Sequence, residues 1–145
     1  MLVCPYSRRA FFSLVVTRLL REGKAFQAER LTATALRRLQ ARSSLSLEVM
    51  VLRALVRISP LAEVRSVRRG GGVFRVPFPL TQKKQISLGL SWLLQAARKG
   101  QGSLLQGLTR ELSAAARGRG LAVRRRQAQH RLAKSNRAFT HFRWH

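Results

Sequence analysis

The sequence predicts a mainly α-helical fold: a bundle of six helices with one protruding β-hairpin inserted between the third and fourth helices. Over most of the chain, apolar residues recur every three or four positions, which is the spacing of one helical face. Between residues 61 and 79 the spacing changes to every second residue, on either side of three consecutive glycines. Apolar residues make up 46% of the sequence, which is enough for a core, so we expect residues 1–145 to form a single domain.

Three helices are predicted before the hairpin, over residues 9–21, 24–42 and 46–57. The inward-facing residues of the first two share the three-four spacing: Phe12, Val15, Val16 and Leu19, then Ala28, Leu31, Ala35 and Leu39. Ser46 can cap the third helix, because its hydroxyl accepts hydrogen bonds from first-turn amides. Pro60 ends that helix, because proline disfavours helical geometry in the residue before it.

The hairpin is predicted over residues 61–79. Val64 and Val67 lie on its first arm, and Val73, Phe74, Val76 and Phe78 lie on its second. Gly70, Gly71 and Gly72 supply the positive φ angles that a tight reversal needs. Pro77 and Pro79 cannot donate ladder hydrogen bonds, so the second strand is expected to end there. A lone two-stranded ribbon is marginally stable in water, so this one must pack on helices or on a bound partner.

Three more helices are predicted after the hairpin, over residues 83–99, 104–117 and 121–142. Ser103 is placed to cap the second of these. Their predicted inner faces are Ile86, Leu90, Leu93 and Ala97; then Leu105, Leu108, Leu112 and Ala115; then Ala128, Leu132, Ser135, Phe139 and Phe142.

The charge balance predicts a polyanionic partner. The chain has 29 Lys and Arg against five Glu and no Asp, a formal net charge of +24. Such a surface repels itself until phosphates bind and their counterions are released. Arginines account for 24 of the basic residues, and their planar donor forks bind phosphate oxygens and stack on unpaired bases. Nucleic acid is therefore the first candidate partner.

A basic stripe follows one side of the last predicted helix. Steps of three and four place its members on a single face: Arg126, His130, Lys134, Arg137 and His141. Like charges at this spacing repel, and no acidic residue lies between Ala114 and the end of the chain to relieve them. We therefore expect the stripe to contact RNA.

Two further basic groups lie in the hairpin and at helix ends. Arg65, Arg68, Arg69 and Arg75 surround the glycine tip, which would project charge away from the core. The start of the fourth helix and the start of the sixth carry the rest: Lys83 and Lys84, then Arg119, Arg124, Arg125 and Arg126. Backbone amides at a helix N-terminus already favour phosphate, which strengthens the prediction for Lys83 and Lys84.

Catalytic, metal-binding and membrane-spanning roles find no support in the sequence. The five Glu are isolated from one another, and the three His lie near the C-terminus with no Cys or carboxylate at ligand spacing. Glu29 or Glu111 is expected to balance nearby arginines. The single cysteine, Cys4, cannot form an intramolecular disulfide, and the longest uncharged stretch, residues 85–97, is too short to span a bilayer. We expect no enzyme activity, no cofactor, no metal and no membrane partner.

Three ordered blocks of sequence closely resemble a known family, the small-subunit ribosomal protein number seven of bacteria and organelles. They are EVRSVRRGGGVFRVPFPL at 63–80, SWLLQAARKG at 91–100 and RGLAVRRRQAQHRLAKSNRAFTHFRW at 119–144. A weaker likeness covers LLREGKAFQAERL at 19–31. The resemblance implies a six-helix bundle with a β-ribbon. It also implies binding to the 3′ domain of small-subunit rRNA, a role in nucleating the subunit head beside other head proteins, and a place near the exit-site tRNA and mRNA.

The stripe and the resemblance together give the predicted contacts. The rRNA-binding residues are Arg8, Arg9, Lys24, Lys83, Lys84, Arg98, Lys99, Arg119, Arg124, Arg125, Arg126, His130, Lys134, Asn136, Arg137, His141 and Arg143. The residues expected near tRNA and mRNA are Arg65, Arg68, Arg69, Gly70, Gly71, Gly72 and Arg75. No homo-oligomer is expected.

The chain also departs from the family pattern. Ala25 replaces a residue that is commonly basic, and Gln127 and Ala128 stand where acidic residues often occur. The ending at His145 and the scarcity of acidic residues favour a mitochondrial ribosome, with a bacterial or plastid one as second choice. Residues 12–20 align with the first family helix, so we expect them to belong to the fold rather than to a cleaved presequence. Two other functions stay open: an architectural DNA-binding protein and a basic membrane-surface protein.

Overall fold

The computed structural model describes residues 8–20, 22–100 and 102–143, with side chains from residue 11 onward. The α-helices are α1 (Arg8–Leu19), α2 (Ala25–Ala41), α3 (Leu47–Ile58), α4 (Gln82–Lys99), α5 (Leu104–Ala116) and α6 (Leu121–Ser135). Strands β1 (Ala62–Arg69) and β2 (Gly72–Pro79) lie between α3 and α4, and a 3₁₀ helix follows α6 over Arg137–Arg143. The predicted mainly helical fold with an inserted hairpin is confirmed, with the 3₁₀ helix as an addition. Cys4, Trp144 and the side chains of Arg8 and Arg9 lie outside the described part.

Helix α5 lies at the centre of the bundle and packs against α2, α3 and α4. Leu93 of α4 and Leu108 of α5 are completely buried. The approach of α4 and α5 is close enough to require glycine, since a Cβ at Gly107 would lie 2.2 Å from the carbonyl oxygen of Ala97. The helical backbones therefore touch, and the apolar side chains on either side of the contact form one continuous core.

The predicted inner faces of α2, α4 and α5 agree with the buried residues. Ala28, Ala35 and Leu39 are buried in α2. All four residues predicted for α4 and three of the four predicted for α5 are buried, and Leu105 packs against the core from a half-buried position. In α1 the buried face differs slightly from the predicted inner face. Phe11 is buried together with Val15 and Leu19, while Phe12 and Val16 are half-buried.

The prediction of one continuous helix and one inner seam from residue 121 to 142 is wrong. Helix α6 ends at Ser135, and Asn136 caps this end. Its backbone amide at 3.2 Å and its side-chain amide at 2.8 Å both donate to the carbonyl oxygen of Leu132. Ala128 and Ser135 are exposed. Only Ala122 and Val123 of this helix are buried, since its later turns leave the core and run beside the hairpin.

Strands β1 and β2 pair antiparallel, from Ala62 opposite Pro79 to Arg69 opposite Gly72. The connection is a two-residue turn, Gly70-Gly71, with φ angles of 51° and 81°. Positive φ at both central positions gives the twist that joins two antiparallel strands directly. The third glycine belongs to β2.

Substituting Gly71 with alanine is expected to loosen the hairpin. The space around its Cβ position is open, so the cost comes from the left-handed backbone alone, about 1 kcal/mol. Amide hydrogen exchange in residues 62–79 should accelerate about five-fold. The control is Gly70→Asn, since Asn-Gly is a preferred pair in this turn, and it should exchange like the wild type. Unchanged exchange in Gly71→Ala would contradict this account of the turn.

Candidate nucleic-acid interface

The hairpin has two unlike faces, which separate its four arginines. One face carries Arg65, Arg69 and Phe74 together with the buried Val76, and it turns toward the helices. The other face carries Arg68 and Arg75, and both are exposed. Two of the four predicted arginines are therefore fully presented to a partner, while the other two have neighbours within the protein.

An aromatic cluster supports the arm from the C-terminal side. The ring of Phe74 in β2 lies 5.4 Å from that of Phe139 and 4.8 Å from that of Phe142, both in the 3₁₀ helix. The guanidinium of Arg69 lies 6.0 Å from the ring centroid of Phe142 and closes the cluster. The hairpin thus packs on helices, as an otherwise marginal two-stranded ribbon requires.

The basic stripe of α6 divides into two parts. Arg126 and His130 are half-buried and bind the backbone at the hairpin root: Arg126 Nε donates to the carbonyl oxygen of Ser59 at 3.1 Å, and the amide of Leu61 donates to His130 Nε2 at 3.0 Å. Lys134, and with it Arg137 and His141 in the 3₁₀ helix, are exposed. The first part of the stripe fixes where the hairpin leaves the body, and the second part is presented outward.

Because His130 accepts a hydrogen bond through Nε2, it serves the fold as the neutral imidazole. Burial, and next the charge of Arg126, hold the pKa of His130 below its ordinary value of 6.5. The imidazole of His130 therefore binds a proton more readily in the unfolded chain than in the folded chain. The contact therefore contributes its full stability at pH values above the pKa that His130 has in the unfolded chain. That stability is lost as the pH falls below this pKa.

We expect the free energy of unfolding to fall between about pH 7.5 and about pH 5.5, where glutamates stay ionised. His130→Gln should reduce this dependence, because a glutamine oxygen accepts from the amide of Leu61 without titrating near neutrality. His141→Gln, at an exposed position, serves as the control and should keep the wild-type profile. Urea titrations at the two pH values measure the effect, and identical profiles for wild type and His130→Gln would refute it.

Other predicted site residues form a group near the C-terminal end of α4. Arg98 and Lys99 are exposed in its last turn. Arg125 of α6 donates to the side chain of Gln95, one turn earlier, and so lies beside them. Arg119, two residues before the start of α6, and Arg124, in its first turn, are also exposed. The contact between Arg125 and Gln95 joins parts of the sequence that are 30 positions apart.

The N-terminal end of α4 lies about 27 Å from its C-terminal end and carries a separate group. Lys83 and Lys84 are exposed in its first turn. Arg18 of α1 donates to the hydroxyls of Ser87 and Ser91, which brings a further cation to this end. Sequence reasoning missed Arg18, since only the packing of α1 against α4 makes it a neighbour of the two lysines.

The remaining predicted residues have local partners. Lys24 forms an ion pair of 2.7 Å with Glu22. Asn136 caps the end of α6, and Arg143 is half-buried. Glu111 was expected to balance an arginine; instead its carboxylate accepts from the amide of Leu121 at 3.2 Å and caps α6.

Among the described residues, no three His, Cys, Asp or Glu side chains lie together as a metal site would require. None of the described helices combines the length and the apolar character needed to cross a bilayer.

Comparison with known proteins identifies the fold. Residues 3–137 match the model of the family described as ribosomal protein S7p/S5e. The chain belongs to the ribosomal protein S7 family. Relatives named small ribosomal subunit protein uS7 include that of Gloeobacter violaceus, 38% identical over 97% of this chain and 90% of the relative. Those of Methylococcus capsulatus and Halorhodospira halophila are 36% and 38% identical over 89% of this chain and 83% of each relative.

Membership in the S7 family confirms the resemblance predicted from the hairpin and C-terminal blocks. It also confirms that the protein is not an enzyme, since the family is one of structural ribosomal proteins.

Proposed function

We propose that this chain is a structural component of the small ribosomal subunit that binds the 3′ domain of its rRNA. One observation carries the proposal: a family fold with a complete apolar core bears a net charge of +24, and its exposed cations lie at both ends of α4, on the hairpin and beyond α6. Cations in several separate groups suit a folded RNA that wraps several sides of a protein.

We further propose that the protein nucleates assembly of the subunit head beside other head proteins, and that the hairpin tip lines the path of exit-site tRNA and mRNA. The exposed Arg68 and Arg75 support the second part, because they lie on the face turned away from the helices. A thin basic ribbon of this kind reaches along a nucleic-acid backbone.

The outer part of the α6 stripe provides the test of rRNA binding. Replacing both Lys134 and Arg137 with alanine should weaken binding to a 3′-domain transcript and lower the slope of log affinity against log salt by about two, one for each lost phosphate contact. Both residues are exposed, so helix content should stay at the wild-type level.

Arg126→Ala is the matched control within the same stripe. It should lower the free energy of unfolding, because it removes a hydrogen bond at the hairpin root. Its salt slope should stay near that of the wild type once the protein is folded. A double variant that binds RNA with the wild-type slope would show that the outer stripe does not face rRNA.

An architectural DNA-binding protein is the second candidate, favoured by the projecting basic hairpin. Competition separates the two functions. A structural rRNA-binding protein should release its 3′-domain transcript to unlabelled transcript and hold it against an equal mass of duplex DNA. Displacement by duplex DNA would favour the second candidate.

For the cellular site we propose the mitochondrial ribosome, with a bacterial or plastid ribosome as the alternative. The near absence of acidic residues supports the first choice. The three relatives named above are bacterial, which agrees with the alternative. Fractionating the source cells into organelles and cytoplasm, followed by detection of the chain, distinguishes them.

A further inference from the structure

A groove of about 250 Å³ lies between the root of the hairpin and α4. Its walls combine one carboxylate, two cations and two hydroxyls over apolar side chains: Glu63, Arg65, Lys84, Ser87, Ser91 and Leu88. Such a mixture differs from the purely cationic groups elsewhere on the surface, because it offers an acceptor as well as donors. It therefore suits a ligand that is itself part anion and part hydrogen-bond donor.

The carboxylate of Glu63 is the unusual member of this groove. The chain has only five acidic residues, and one of them faces the same groove as Lys84. A carboxylate repels phosphate but accepts hydrogen bonds from the amino groups of bases. Arg65 donates through both Nε and Nη2 to the same oxygen, Oε1. The second oxygen, Oε2, has no hydrogen-bond partner among the described residues, and the Glu63 side chain is 24% exposed.

Arg65 adds a stacking surface beside that oxygen. Its guanidinium lies 5.2 Å from the ring centroid of Phe78, which covers one side of it. The side chain is still 49% exposed. Guanidinium planes stack on unpaired bases of single-stranded RNA. A base placed here would stack on Arg65 and reach Glu63 with its edge.

The opposite wall of the groove suits a phosphate. Lys84 lies in the first turn of α4, where free backbone amides favour an anion. The guanidinium of Arg18 binds the hydroxyls of Ser87 and Ser91 and adds a second positive charge next to that wall. The groove is thus polarised, with an acceptor for a base on the hairpin side and cations for a phosphate on the α4 side.

We infer that this groove holds one unstacked nucleotide of small-subunit rRNA. Its phosphate lies beside Lys84, and its base, one with an exocyclic amino group, stacks on Arg65 and donates to Glu63. Guanine, cytosine and adenine carry such an amino group, whereas uracil has only its ring N3–H to donate. The inference rests on the proposed binding of rRNA and adds a position at which the protein recognises a base.

The test compares Glu63→Leu, which removes both carboxylate acceptors, with the wild-type chain on a 3′-domain transcript. Two readouts are needed: affinity across a salt series, and chemical modification of the Watson–Crick edges of the bases. Glu63→Leu should bind about ten-fold more weakly with an unchanged salt slope, as expected for a lost base contact. It should also expose one amino-bearing base that the wild type protects, while the other protections persist.

Two control variants complete the experiment. Glu48→Leu removes an exposed carboxylate on α3, outside the groove, and should behave as the wild type in both readouts. Lys84→Gln should lower the salt slope by about one and keep the base protected, because it removes a phosphate contact only. Equal thermal unfolding of all variants shows that the fold is intact.

Several results would overturn the inference. A carboxylate that faced phosphates would repel them, so its removal would tighten binding. Tighter or unchanged binding by Glu63→Leu, with every protection retained, therefore excludes a base contact. The inference is also contradicted if the substitution at Glu63 exposes a uracil. It is contradicted as well if the base that becomes exposed lies in added tRNA or mRNA and not in the transcript. If the wild-type chain itself leaves the transcript unbound, the proposed function fails first, and this inference fails with it.

Discussion

Raising the salt concentration from 50 to 200 mM should weaken the complex with the 3′-domain transcript by roughly 10³–10⁵-fold. The expectation assumes contact with roughly six to ten phosphates, each of which releases condensed counterions when a cation replaces them. The exposed basic residues around α4, on the hairpin and beyond α6 are numerous enough for this count. Filter binding or fluorescence titration over a series of salt concentrations measures the slope.

A flat response would contradict the account, because it would mean that the charge of +24 does not meet phosphates in the complex. The double variant of Lys134 and Arg137 provides an internal check on the same plot. Its plot of log affinity against log salt concentration should have a smaller slope than that of the wild type. The two affinities should converge at high salt.

Replacing Leu108 with alanine should lower the free energy of unfolding by about 2–5 kcal/mol. The side chain is completely buried in α5, the helix that packs against α2, α3 and α4, so its removal leaves a cavity that the surrounding helices cannot easily fill. The loss is a large part of the total stability of a domain of this size. Urea unfolding followed by circular dichroism measures it.

Leu52→Ala is the matched control, since Leu52 is 41% exposed on α3. It should change the free energy of unfolding by about 0.5 kcal/mol or less. A loss below about 1 kcal/mol in Leu108→Ala would mean that α5 is not the centre of the core.

The sequence predicted the helices and the hairpin well because their signals are local. Three-four apolar spacing, Ser103 as a cap and Pro60 as a stop each act within a few residues. The same spacing gave a wrong prediction of an inner seam for α6. Apolar residues beyond Val123 pack on the hairpin or face solvent instead of the core. A periodic pattern shows that one face is apolar, but it does not show what that face touches.

The candidate site shows the same limit. The sequence indicated where the cations lie, yet it could not separate Arg126 and His130, which hold the hairpin root, from Lys134 and Arg137, which do not. That distinction depends on contacts between α6 and residues 59–61, about 70 positions away in the chain. Glu63 could not be predicted as a site residue, because a single carboxylate forms no sequence motif. It lines the groove only when the hairpin folds against α4.

Sedimentation of native extract through a sucrose gradient tests the central claim most directly. The chain is expected to travel with small ribosomal particles at low salt and to leave them as the salt concentration rises. Finding it at the top of the gradient under low salt, free of rRNA while intact small subunits sediment without it, would contradict its role as a cationic scaffold of the small subunit.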